Sequence, residues 1–139
     1  MRSQHLVDSE IKPLLESFPP MALAIESLPA IRSALTEQVV AMPSATKLPL
    51  PVSSESIVIA GPDESSPVRV LVCQPTGTGT TVPAILHVHG GGYVMGTPEI
   101  CDMQNRQLAA ELGCAIISVD YRLAPESNFH EQWRIVTQL

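Results

Sequence analysis

The amino-acid sequence predicts an α/β fold, on three observations. Residues 84–89 (Ala-Ile-Leu-His-Val-His) and 114–119 (Cys-Ala-Ile-Ile-Ser-Val) are near-continuous apolar runs, the composition of strands covered on both faces. Between them Asp102 to Leu112 has helical character and ends at Gly113, in the place of a helix C-cap. Strand, helix and strand in that order imply a right-handed parallel crossover. At 139 residues and 45% hydrophobic, the chain is long enough to bury the core of one globular domain. The sequence contains no evident internal repeat.

The remaining elements follow from pattern and punctuation. Asp8 suits a cap, and Ile11, Leu14, Leu15 and Phe18 recur behind it at helical spacing, giving a short amphipathic helix from which Pro13 removes one backbone bond. After Pro19 and Pro20, Ser27 and Pro29 suit the start of a second helix that carries Leu28, Ile31, Leu35 and Val39. Residues 1–42 are therefore a helical segment ahead of the sheet. Residues 43–55 hold Pro43, Pro49 and Pro51 among Ser and Thr, a composition that resists helix and central strand and reads as a linker. Two strands at 56–60 and 68–73, separated by Gly61, Pro62 and Pro67, are expected to pair antiparallel. With the parallel crossover this makes about four strands, in a core over 56–129.

Charge and composition exclude several classes. A net charge of −6 with only eight Lys and Arg argues against a nucleic-acid surface. The first ten residues lack an apolar signal core and no run is long enough for a membrane span, so a cytoplasmic location is expected. Cys73, Cys101 and Cys114 stand singly and read as reduced packing thiols. His87 and His89 alternate onto one strand face, yet no Cys or carboxylate stands beside them; His87 is read as packed, and neither metal nor other cofactor is expected. Gly91 and Gly96 have the spacing of a phosphate loop, but Thr97 and Pro98 follow where Lys and Ser or Thr are needed. Gly77-Thr78-Gly79 lacks the third glycine of a dinucleotide fingerprint.

Two blocks carry chemistry. His89-Gly90-Gly91-Gly92-Tyr93 follows a strand end, where open α/β sheets place their ligand crevices, and three glycines let backbone N–H groups face a ligand unobstructed. Asp120-Tyr121-Arg122-Leu123-Ala124-Pro125-Glu126 follows the next strand. The glycines could instead make only a tight strand-to-loop turn. Together, in this order and at this separation, the blocks resemble those of the hormone-sensitive-lipase-type carboxylesterase and lipase branch of the α/β-hydrolases. The resemblance covers Met1 to about Phe129. It implies that the sheet is the N-terminal part of an α/β-hydrolase core and that the two leading helices form part of a cap over the acyl pocket. It further implies an oxyanion hole in the His89, Gly90, Gly91, Gly92 block, with N–H donors from Gly91 and Gly92 and His89 bracing the loop. Tyr93 would line the substrate pocket, and Asp120 and Arg122 would be structural, fixing the turn behind the site.

The rest of such a site is not legible. No Gly-x-Ser-x-Gly occurs in the 139 residues, and His130 has no Ser or acid partner in pattern, so the nucleophile, acid and base are read as absent. The family's Gly-Asp-Ser-Ala-Gly-Gly block would lie beyond Leu139. Residues 130–139 depart from the family's continuation and read as an aberrant tail, which a one-base frameshift near His130 would produce. The expectation is an N-terminal fragment of a serine carboxylesterase for short-chain esters, inactive alone, whose intact relatives take small-molecule ester substrates. The alternative is a non-catalytic module binding acyl ligands or a complementary C-terminal chain. An unpaired apolar edge beside 84–89 would make the isolated chain poorly soluble.

Overall fold

The computed structural model describes residues 4–17, 24–41, 51–61, 67–77 and 81–137. Phe18, most of the linker at 43–55, and Pro62 lie outside the described residues. Among the described residues four helices and four strands follow in the order α1 (Lys12–Ser17), α2 (Leu28–Ala41), β1 (Val52–Ile59), β2 (Val68–Pro75), β3 (Ala84–Val88), α3 (Asp102–Leu112), β4 (Ala115–Val119) and α4 (Phe129–Thr137). Short 3-10 turns precede α1, α2 and α3.

The strands form one sheet in the order β1-β2-β4-β3. β1 runs antiparallel to β2, β2 antiparallel to β4, and β3 parallel to β4, which is the expected antiparallel pair followed by a parallel crossover through α3. β2 is paired on both sides, and its Val68, Val70, Leu71 and Cys73 are buried. Each face carries a packed cluster. On one, Cys73 and Ile116 pack with Val52, Cys114 and Ala109 of α3; on the other, Val70 and Val119 pack with Tyr121 and with Ile135 of α4. The three cysteines are free thiols, two of them buried in this core.

α3 ends as its sequence dictates. Gly113 takes the left-handed conformation at φ 62°, and its N–H closes on the Ala109 carbonyl at 3.0 Å. The helix starts differ from expectation. In α1 the Asp8 carboxylate accepts the Glu10 N–H at 2.9 Å, and the helix opens at Lys12, so Pro13 stands in the first turn, where its missing donor costs no bond. Ile11 and Leu14 remain largely exposed. Ser27 does not cap α2; its hydroxyl donates back to the Ala24 carbonyl at 2.8 Å within the preceding 3-10 turn. Of the α2 series, Leu28 is buried and Ile31, Leu35 and Val39 are half-buried.

One boundary is corrected. β1 begins at Val52, so residues 52–55 are strand and not linker. An edge strand tolerates the polar Ser53, Ser54 and Glu55, because its outer residues face water while the ladder to β2 supplies the backbone bonds. Residues 130–137 of the segment read as an aberrant tail lie in α4. Asn128 Oδ1 accepts the Glu131 N–H at 3.1 Å and the Glu131 carboxylate accepts the Asn128 N–H at 3.4 Å, a reciprocal capping box. From that start Ile135, 4% exposed, drops onto the sheet.

Candidate functional site

β3 ends at Val88, and the chain turns at once into the glycine loop. His89 is only 3% exposed, stacked on the Tyr121 ring at 4.3 Å. The Tyr121 hydroxyl donates to the His89 carbonyl at 2.9 Å. His89 Nδ1 meets the Gly90 carbonyl at 2.9 Å; a carbonyl only accepts, so Nδ1 carries the hydrogen. Nε2 is buried and has no partner among the described residues. The ring is thus held by stacking and by its own loop.

Beyond it the backbone enters territory that side chains avoid. Gly91 lies at φ 133°, Gly92 at 62°, Tyr93 at 65° and Gly96 at 104°. The Gly91 carbonyl accepts from Val94 at 3.2 Å and Met95 at 3.0 Å, closing the loop into a turn. A Cβ on Gly91 would run into the Met95 carbonyl, and one on Gly96 into the Gly90 carbonyl and the His89 ring. At Gly90 and Gly92 a Cβ would meet nothing within 4 Å. Two glycines are therefore demanded by the turn's interior, whereas the other two keep its outer side bare.

That bare side has donors to spare. Among the described residues no acceptor meets the N–H of Gly90, Gly91, Gly92 or Tyr93, and the loop from Gly90 to Tyr93 is exposed or half-buried. Backbone N–H groups without internal partners at the end of a parallel strand can bind a carbonyl oxygen or an oxyanion. Tyr93, 47% exposed, sets its ring edge-on to Phe129 at 5.3 Å and to Tyr121 at 6.4 Å.

The second block lies alongside. The Ala124 N–H donates to the Tyr93 carbonyl at 2.8 Å, just before the cis Ala124-Pro125 peptide. Asp120 accepts from Arg69 Nε at 2.8 Å, and the same guanidinium reaches Glu99 at 2.6 Å, tying the end of β4 to β2 and to the turn before α3. These bonds raise the Arg69 pKa and hold the Glu99 carboxyl below the usual carboxylate range, chiefly through the Arg69–Glu99 hydrogen bond. Arg122 does not share this work: it is exposed and makes no hydrogen bond or ion pair among the described residues.

The guanidinium that secures the turn is Arg32, on α2. Its Nε donates to the Val94 carbonyl at 2.8 Å, and one terminal nitrogen donates to the Ala124 carbonyl at 2.6 Å. The other pairs with Glu126 at 2.9 Å and lowers that carboxyl's pKa. No local motif marks Arg32, since its contacts lie 62 to 94 residues away in sequence. An open groove of about 620 Å³ beside this block is lined by Arg32, Asp120, Arg122, Glu126 and Glu131 among others. Neither Tyr93 nor the glycines line it.

His87 is packed as expected. Its Nδ1 lies 2.8 Å from Ser118 Oγ and 3.3 Å from the Asn105 amide, and burial, then the neighbouring His89, depress its pKa. Among the described residues no three His, Cys, Asp or Glu gather in a metal-binding arrangement. No described helix is long and apolar enough to cross a membrane.

Residues 85–134 match a family model described as the alpha/beta hydrolase fold. A solved bacterial heroin esterase superposes at a TM-score of 0.74 with 31% identity, over 96% of this chain and 41% of that one. Carboxylesterase NlhH of Mycobacterium tuberculosis is 28% identical over 123 residues, 88% of this chain and 37% of that protein. Hormone-sensitive lipase of Bos taurus is 44% identical over 45 residues, 32% of this chain and 6% of that protein. The chain spans well under half the length of these relatives. The mixed sheet, with its helices on both faces, and these matches define part of an α/β-hydrolase fold. Within that fold the chain is similar to carboxylesterases and to hormone-sensitive lipase. The family match runs to Arg134, five residues past Phe129 and into the segment read as departing from the family.

Proposed function

We propose that this chain carries the oxyanion-hole half of a serine carboxylesterase acting on short-chain carboxylic esters. One observation carries the reading: the N–H groups of Gly91 and Gly92 stand unclaimed by any described acceptor, on a turn whose interior has no room for a side chain at Gly91 or Gly96, directly after β3. During attack on an ester carbonyl, negative charge develops on its oxygen, and a fixed N–H donor there contributes about 3 kcal/mol of transition-state stabilisation. Gly91 and Gly92 would supply such donors, His89 would brace them from beneath, and Tyr93 would border the acyl or alcohol side. Asp120 would hold the second loop in place through Arg69. The nucleophile, its base and the orienting acid are not legible in these 139 residues, so the chain by itself would not turn over esters.

A nitrophenyl acetate and butyrate assay on the purified chain tests this. No turnover is expected; robust turnover blocked by a serine-directed phosphonate would overturn the half-site reading. The open β3 edge favours a second reading, in which a complementary chain completes the sheet. Mixing with a separately expressed C-terminal half of such a hydrolase then restores activity, whereas acyl-ligand binding without turnover would mark a binding module instead.

A further inference from the structure

We infer that Arg32 is a positioning residue for the glycine loop, orienting the Gly92 N–H through two peptide units in series. A peptide plane carries its C=O and the following N–H as one rigid unit. Arg32 Nε donates to the Val94 carbonyl at 2.8 Å, and the N–H of that same peptide, on Met95, donates to the Gly91 carbonyl at 3.0 Å. The Gly91 carbonyl belongs in turn to the peptide whose N–H is that of Gly92. The cation therefore sits at one end of a chain, Arg32 to Val94 O, Met95 N–H to Gly91 O, with the Gly92 N–H at the other end. Hydrogen bonds linked in this way polarise one another, and a charged donor at the head makes the terminal N–H a stronger donor.

A second arm fixes the flank. Arg32 also donates to the Ala124 carbonyl at 2.6 Å, and the Ala124 N–H donates to the Tyr93 carbonyl at 2.8 Å. One guanidinium, its side chain 18% exposed, thus holds both sides of the loop, while its remaining nitrogen is kept in register by Glu126. Its planar fork suits this; a lysine ammonium has no fixed fork with which to span two carbonyls and a carboxylate. The position of α2 is in this way imposed on the direction of a backbone donor it never touches. Only the use of the Gly92 N–H for an oxyanion rests on the esterase reading.

Residue-resolved amide exchange on the whole chain tests the relay. Arg32→Ala is expected to speed exchange of the Met95 and Ala124 amides about tenfold or more, the loss of a charge-assisted hydrogen bond, and to shift the Gly92 amide resonance. Val70 and Val119, in the sheet, should exchange as before. Glu126→Gln, which retains both carbonyl contacts, should leave Met95 close to the parent rate, and Arg32→Lys should restore it only in part. Should Arg32→Ala unfold the chain, the comparison of Glu126→Gln with Arg32→Lys decides. Unchanged Met95 exchange in the Arg32 variants, or equal acceleration in Glu126→Gln, would overturn the proposal. Ester turnover enters none of these readouts, so a failed esterase reading would leave them unmoved.

Discussion

Alanine placed at each glycine of the loop in turn should separate the turn's interior from its bare outer side. Gly91→Ala confronts two costs. At φ 133° an L-residue is strained, by about 1–3 kcal/mol, and its Cβ would run into the Met95 peptide, 2.5 Å from the Met95 carbonyl carbon. Relieving that contact separates the Gly91 carbonyl from the Val94 and Met95 N–H groups, each bond contributing about 0.5–1.5 kcal/mol. The combined loss is about 2–6 kcal/mol, a large part of the roughly 5–15 kcal/mol that stabilises an ordinary domain. Gly92→Ala pays only for the left-handed backbone, about 1 kcal/mol, because its Cβ would meet nothing. Gly90→Ala, with an open site and no positive φ, should be near neutral. Urea unfolding followed by far-UV circular dichroism reads this order directly. With a slope of about 2 kcal/mol per molar urea, the Gly91 variant's midpoint falls by roughly 1–3 M and the Gly92 variant's by roughly 0.5 M. Equal midpoints for the Gly90 and Gly91 variants would refute the account of the turn.

Three further outcomes follow. Ile135→Ala should cost about 2–4 kcal/mol, because a buried side chain of α4 leaves a cavity against Val70 and Val119; a neutral effect would mean that the tail does not dock. Leu86→Lys, on the bare face of β3 where Leu86 is 45% exposed, should lower concentration-dependent association in sedimentation velocity without lowering the unfolding midpoint. For pH, the folded pKa of His87 is depressed by burial, so its contribution to stability is present above the ordinary imidazole value of about 6.5 and is lost as pH falls below it toward the folded value. Glu99, also depressed, adds a loss that begins only below the ordinary carboxylate value of about 4.3. Urea midpoints across pH should therefore fall in two stages, and His87→Gln should flatten only the upper one.

The sheet was largely legible because its strands are written in apolar runs: β2, β3 and β4 lie within two residues of their expected ends. β1 was read four residues short, since an edge strand is permitted Ser and Glu that a buried one is not. The tail helix carries a local signal in the sequence, the Asn128-x-x-Glu131 capping box. The glycine block announced its own turn, but which of its glycines are sterically required depends on Met95 and His89 coming close in space. Arg32 was invisible for a different reason. An isolated Arg on a helix reads as a solvated charge, and only the folded chain brings Val94, Ala124 and Glu126 to it. Arg122, which the motif did highlight, turns outward instead.

β2 is bonded on one side to a neighbour in sequence and on the other to a strand made much later. About 40 residues separate Pro75 from Ala115. A ribosome adding roughly 5–20 residues per second needs about 2–8 s to cover that interval. For those seconds the nascent hairpin leaves the exit tunnel with Cys73 uncovered until α3 follows and Val70 uncovered until α4 does.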